Sequence, residues 1–289
     1  MTNERGMRLE EMLCQRFRAL SKMYLRDVVK VGSCEVNGRH ENIGYRLRPN
    51  DFIEIELDLT REHSMLPQDL PLKIVHEDSD LVVVVKPAGM LVHPSHREKN
   101  GTLLNVLAFH FNRDGGPMVR PGLVHRLDRA TSGLMVVAKN ARSHSILCRQ
   151  FQRKTVQKLY AALVDGDVIA DEGVIEGNIG RHADQKMWGL KDDGKPSLTK
   201  FRVLRREGGR TWLELEPVTG RTNQLRIHCA AIGHPIVGDE HRNGVKFHRL
   251  CLHAARLGFR HPSSGEFLSF AVDEDFSQPT LAREAVPQA

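Results

Sequence analysis

Nowhere in the 289 residues does an apolar run approach the roughly 20 residues that a bilayer-spanning helix needs. The N-terminus, MTNERGMRLEEML, is charged where a secretory leader would carry an apolar core. A cytoplasmic protein without membrane attachment is therefore expected. Cysteine is sparse: Cys14, Cys34, Cys148, Cys229 and Cys251 are odd in number, far apart and free of CxxC spacing, which argues against a disulfide framework and a thiolate zinc site. Histidine is plentiful, at fifteen, yet HExxH is missing and so is HxE with PCxxC. His93, His125, His228, His234 and His253 stand isolated in the sequence, so no metal is expected. Internal repeats and low-complexity tracts are also lacking.

The most localised scarcity is of carboxylates. From Gly115 to Val164 the chain holds one, Asp128, among nine cations: Arg120, Arg126, Arg129, Lys139, Arg142, Arg149, Arg153, Lys154 and Lys158. The local balance of +8 exceeds the +6 of the whole chain. A pI of about 9.2 permits a polyanionic partner, because clustered Lys and Arg gain affinity by displacing counterions from phosphates. Basicity alone does not separate such a partner from a solvated basic face. The length allows one large domain or two smaller ones, and 40% hydrophobic residues suffice for a sizeable core.

The first part of the chain reads as a small module. Leu9, Leu13, Phe17 and Leu20 form a helical stripe, and Ser21 is placed to cap a second helix, KMYLRDVVKVG, which Gly32 stops. A strand with an Asn37-Gly38 turn and an alternating strand, DFIEIEL, follow. Residues 5–48 carry ten Lys or Arg against five acids, so one face of this module can be basic. HSMLPQDLP breaks every period and reads as a linker. The expected division is a module over 1–62, a linker over 63–71, a larger domain over 72–278 and a disordered tail over 279–289.

In the larger part, LVVVV and LMVVAK read as buried strands, GTLLNVLAFHF and ARSHSILCRQFQR as helices, and TVQKLYAALV as a strand carrying Tyr160. SLTKFRVLRR and TWLELEPV flank a hairpin turn, GRTNQLRIHCAAIG reads as a helix opened by Gly220, and LHAARLGF and EFLSFAV are late strands. Strands outnumber helices and often follow one another directly. The expected fold class is α+β, with a mixed or antiparallel sheet flanked by helices and loops.

An aspartate beside arginines is ordinarily an ion pair that orders a loop. Asp128 has several cations crowding it in a loop that opens an apolar strand, a setting that favours the ionised form and suits a nucleophile or cation stabiliser. Such a carboxylate fits chemistry at an anomeric carbon, whose transition state is oxocarbenium-like. Hydrolysis there needs a second carboxylate, and Glu216 and Asp239 are the few candidates, so anomeric chemistry without acid-assisted departure is favoured. Tyr160 is either a core aromatic or a ring that stacks on a base. Arg221, read as opening a helix against the dipole preference, is either solvent-facing or holds an anion such as Asp128.

These segments resemble the RluA family of RNA pseudouridine synthases, from about Leu72 to Phe276. HRLDRATSGLMVVAK is similar to the family's aspartate motif, with Asp128 in the catalytic position. VVVVKPAGMLVHPS, QFQRKTVQKLYAALVDG, GRTNQLRIH with GHPIVGD, and LHAARLGFRHPSSGE follow in the family's order, the tyrosine falling on Tyr160 and the arginine on Arg221. One departure is Asn223, where many relatives have His. RLEEML, SKMYLRDVVKVG and CEVNGR followed by RPNDFIEIEL resemble an S4 RNA-binding domain.

The resemblance implies an isomerase that flips a uridine out of structured RNA, breaks its N1 glycosidic bond with the help of Asp128, and rejoins C5 to C1′. It implies no cofactor. Arg221 would pair with Asp128, Tyr160 would stack on the base and take part in proton removal, and Arg126 would fill the space left by the flipped base. The RNA-contact candidates are Arg126, His125, Arg129 and Lys86 around the motif, and Arg8, Lys22 and Arg26 in the N-terminal module. Large-subunit ribosomal RNA is the expected partner, transfer RNA the alternative, and the protein is expected to be a monomer. A non-catalytic RNA-binding or ribosome-assembly factor on the same fold is the competing reading, and a histidine-based metal hydrolase a third.

Overall fold

The computed structural model of the chain describes residues 6–17, 20, 22–58, 66–95, 98–114, 119–182, 187–274 and 276. The chain falls into two units. The first comprises Met1–Asp69, Pro94–Asn100 and Leu104–Arg120, and the second Leu70–His93, Gly101–Leu103 and Pro121–Ala289.

In the first unit, α1 (Leu9–Arg16) buries Leu9, Met12 and Leu13. It ends earlier than the apolar stripe, because Phe17 leaves the helical region at φ −108°, ψ 60°. The expected cap at Ser21 lies outside the described residues. Helix α2 (Lys22–Lys30) buries Tyr24, Leu25, Val28 and Val29 against the same core. β1 (Cys34–Val36) turns through Asn37 and Gly38, both at positive φ (53° and 70°), the conformation a two-residue hairpin turn demands. β2 (Arg39–His40) and β3 (Ile53–Ile55) flank β1 on either side in an antiparallel sheet. All but the first residue of α3 (Leu103–Asn112) also belongs to this unit, where the Asn105 amide donates to the Leu66 carbonyl at 2.9 Å.

The second unit is built on an eleven-stranded sheet. Its strands are β4 (Lys73–Glu77), β5 (Leu81–Lys86), β6 (Gly122–Leu123), β7 (Ser132–Ala138), β8 (Gln157–Asp165), β9 (Glu172–His182), β10 (Met187–Leu190), β11 (Lys195–Glu207), β12 (Arg210–Pro217), β13 (Leu252–Arg260) and β14 (Phe267–Ala271). The order is β10-β9-β11-β12-β8-β13-β7-β5-β4, with β14 on β13 and β6 on β7. The β7–β13 ladder is parallel and the others antiparallel, so the sheet is mixed, as its strand-rich pattern predicts. Two helices complete the unit: α4 (Ala141–Gln152), whose Asn140 cap accepts from the Ser143 N–H at 2.9 Å, and α5 (Gln224–Ala231).

Strands β4, β6, β9 and β10 go unpredicted by the sequence. β9 is EGVIEGNIGRH, whose three glycines and half-exposed positions blur the alternation that marks a strand. β7 is the opposite case, with every residue of SGLMVVA buried between β5 and β13. Leu134, Val136 and Ala138 pack with Leu81, Val83, Leu147 and Phe259, where truncating a leucine costs about 2–5 kcal/mol. Gly133, at φ 117°, lies so close to β13 that a Cβ would overlap the Ala254 backbone. Its missing side chain allows the parallel pairing of Ser132 and Gly133 with His253 and Ala254, and so fixes the strand that the Asp128 loop enters.

Candidate active site

Asp128 sits in the loop between β6 and β7, and its carbonyl accepts the Thr131 N–H at 3.1 Å to close a turn. The next carbonyl, of Arg129, is held twice, by the Gly89 N–H at 2.8 Å and by Lys86 Nζ at 3.1 Å. Lys86 Nζ also donates to the carbonyls of Pro87 (2.7 Å) and Met90 (2.9 Å), which uses all three ammonium protons. Lys86 is therefore not the RNA contact that the sequence suggests. It has no exposed surface, and its ammonium ties the KPAG turn to the Asp128 loop from inside the protein. A second buried cation, Arg249, donates to Ser132 Oγ, which lies 2.8 Å from His253 Nδ1 at the start of β7.

Burial lowers the Lys86 pKa to about 7 from 10.5, with Asp128 opposing the shift. Between those values the unfolded chain binds the extra proton, so the stability contributed by Lys86 is least below pH 7 and rises with pH towards 10. The Tm of the wild type should therefore gain on that of Lys86→Met as pH is raised from 7 to 10 in paired melting curves. A constant gap between the two would contradict the lowered pKa of Lys86.

The Asp128 carboxylate is half-buried and makes no hydrogen bond or ion pair among the described residues. Four groups nonetheless feel its charge: Lys86, Tyr160, Arg226 and Arg242. Tyr160 lies in β8 between Leu215 of β12 and Ala254 of β13, and burial first, then Asp128, pushes its phenol well above the usual range. The ring is thus held in its protonated form.

Arg221 is not found where the sequence puts it. Helix α5 starts at Gln224, so Arg221 lies in the preceding turn, its side chain exposed and its Nε donating to the Pro196 carbonyl at 3.1 Å. Arg226 lies one turn further on. Burial works against its charge, but Asp239 and then Asp128 outweigh that and raise its pKa. It donates to Asp239 through Nε (2.8 Å) and Nη2 (2.6 Å) and to Asn223 Oδ1 through Nη1 (3.2 Å). A sequence signal for it exists: in QLRIHC, Arg226 is the one charged residue amid buried neighbours, and an arginine so placed needs an anion. Asp239 is that anion.

A family model described as RNA pseudouridylate synthase matches residues 80–231, a span that contains Asp128, Tyr160 and Arg226. An uncharacterized RNA pseudouridine synthase of Aquifex aeolicus is 37% identical over 92% of this chain and 90% of its own length. The chain belongs to the RNA pseudouridine synthase family. Ribosomal large subunit pseudouridine synthase D of Pseudomonas aeruginosa is 36% identical over 94% of this synthase and 90% of its own chain. The solved structure of human RNA pseudouridylate synthase domain containing 1 superposes with a TM-score of 0.61 at 30% identity, covering 71% of this chain and 84% of the human one. The synthase is thus an RNA-acting isomerase of α+β fold with a mixed sheet.

The other RNA-contact candidates fare unequally. Arg126 is exposed, and after burial its charge is the second cause that lowers the His93 pKa. Arg129 is half-buried. His125 turns inward: its Nε2 accepts the Val136 N–H at 3.1 Å, its ring stacks on Phe151 with centroids 4.5 Å apart, and burial lowers its pKa to about 3. A neutral, half-buried imidazole brings no charge to a phosphate, and its Nε2 and ring face are committed to the fold of the synthase. In the first unit Arg8 is exposed, while Lys22 and Arg26 both reach Glu10 Oε1, at 3.0 and 2.6 Å, and stay largely open to solvent. With Lys30 they form a stripe four residues apart, on the side of α2 opposite its apolar residues.

Asp78, Asp80 and His261 have the spacing of a metal site. Their hydrogen bonds do not fit one. His261 Nδ1 accepts the N–H groups of Ser263 (3.3 Å) and Ser264 (3.1 Å), which puts the ring proton on Nε2, and that atom donates to Asp78 Oδ2 at 3.2 Å. Asp80 accepts from Ser143, Ser263 and Asn140, which lowers its pKa to about 2. These groups join the β4–β5 turn to α4 and to the end of β13. A cavity of about 460 Å³ lies elsewhere, lined by Gly177, Pro196, Ser197 and Thr219 among others, and does not include Asp128. No helix among the described residues is long and apolar enough to cross a membrane.

Proposed function

We propose that the synthase isomerises particular uridines of large-subunit ribosomal RNA, transfer RNA being the alternative substrate, with Asp128 as the group that acts at C1′. The observation that carries this reading is the Asp128 carboxylate itself, left without a protein partner among the described residues while Lys86, Arg226 and Arg242 feel its charge. A carboxylate whose oxygens are open can attack or stabilise an oxocarbenium-like centre as it develops. The bond from N1 to C1′ breaks, the uracil turns, C5 bonds to C1′, and the proton lost from C5 is balanced by one gained at N1. No water is consumed, in keeping with a single open carboxylate. The synthase-D relative, named for the large ribosomal subunit, favours ribosomal RNA over transfer RNA.

The partly buried ring of Tyr160 suits stacking on the flipped base, and a phenol held protonated suits hydrogen-bond donation better than proton abstraction. Exposed Arg126 is the candidate to enter the RNA. The first unit acts as an S4-like RNA-binding module through Arg8 and the Lys22–Arg26–Lys30 face, and the synthase works as a monomer. Phosphate contacts of this kind supply affinity but no sequence information. Pseudouridine mapping of total RNA from cells with and without the gene tests the substrate: loss of one or a few sites in large-subunit ribosomal RNA is expected. Loss confined to transfer RNA would reassign the substrate, and loss of no site would overturn the activity.

A further inference from the structure

We infer that Asp239 and Asn223 are positioning residues, which together fix the guanidinium of Arg226 for the reaction at Asp128. The inference rests on the assignment of Asp128 above. Asp239 follows Gly238, a glycine at φ 83° whose Cβ would overlap the Arg249 carbonyl, so the carboxylate enters the protein on a tight, side-chain-free turn. Its side chain has no exposed surface. Each oxygen takes one bond from Arg226 in a forked pair, and Arg242 Nη1 stands 3.7 Å from Oδ2. Arg242 is tied in turn by Nη2 to the Trp188 carbonyl of β10, at 3.0 Å.

A forked carboxylate sets the plane of a guanidinium as well as its position. Asn223 Oδ1 takes a third N–H of Arg226 from the other end of the plane, leaving two of five for a ligand. Asn223 is at φ 56°, a left-handed conformation that Asn, Asp and Gly tolerate. Had Arg226 formed its forked pair with Asp128, the nucleophile would be occupied. Asp239 takes that place, and the Asp128 oxygens stay open. A merely structural tie between α5 and the 236–242 turn would affect melting but not turnover in the folded protein.

The test compares Asn223→Gly with Asn223→Asp in the full-length protein, using tritium release from uridine labelled at C5 in RNA from cells that lack the gene. Gly keeps the backbone conformation and loses the acceptor, while Asp keeps both. Asn223→Gly should lower kcat about tenfold with little change in KM or Tm, and Asn223→Asp should restore most of it. Asp239→Asn, if it folds, should lower kcat about 100-fold. Wild-type kcat in Asn223→Gly, or no recovery in Asn223→Asp, overturns the inference, and the Asn223 pair decides if Asp239→Asn does not fold. Asp128→Asn, run alongside, separates the two failures: if it turns over normally, the assignment of Asp128 has failed, whereas if it is inactive and Asn223→Gly is not impaired, the positioning role alone has failed.

Discussion

Asp128→Asn is expected to form no measurable pseudouridine while binding RNA as tightly as the wild type. The substitution keeps the volume and removes the charge, and removing a nucleophile outright costs at least ~10⁴-fold in turnover in enzymes whose residues act as a unit. Folding should survive it, because the carboxylate makes no hydrogen bond or ion pair among the described residues that the amide would lose. RNA affinity comes from other surfaces, with exposed Arg126 and the α2 stripe as the candidates. Tritium release and filter binding on the same preparations check both halves. Full turnover in the variant would leave the RNA-binding or assembly reading as the better one.

Arg226→Met should lower kcat by about 10²–10³-fold, the scale of losing one preorganised charge at a reacting centre, with a smaller effect on KM. Arg221→Met should instead leave kcat within a few-fold of the wild type. The two arginines are five residues apart in GRTNQLRIH, and the family resemblance as read from the sequence puts the role on Arg221. The structure separates them: Arg221 is exposed and spends its Nε on the Pro196 carbonyl, whereas Arg226 lies on α5, is held by Asp239, and feels the charge of Asp128. Because Arg226 also neutralises buried Asp239, its loss strands a carboxylate and should lower Tm, so kcat must be measured well below the melting range. A larger loss of kcat in Arg221→Met than in Arg226→Met would reverse the assignment.

Some of this protein is legible without coordinates because its signals are local. The buried run of β5 and β7, the Asn37-Gly38 turn and the lone acid at Asp128 each depend on neighbours in the chain. β9 and β10 are not legible in this way, because half-exposed, glycine-rich strands carry little periodicity, and the sheet around them supplies what the pattern lacks. Lys86 and His125 mislead for the same kind of reason. A basic residue near a motif suggests RNA, but whether it faces solvent depends on carbonyls and rings brought in from Met90, Arg129 and Phe151.

The order of motifs along the chain carries the family resemblance that implies an RNA-acting isomerase, and the single carboxylate among nine cations agrees with it. Which arginine serves that carboxylate is a tertiary decision. Asp239 lies 13 residues beyond Arg226, outside any helical or strand spacing, and only the turn at Gly238 brings the two together. Charge composition is a property of the chain, whereas charge pairing depends on distance, and folding sets the distance.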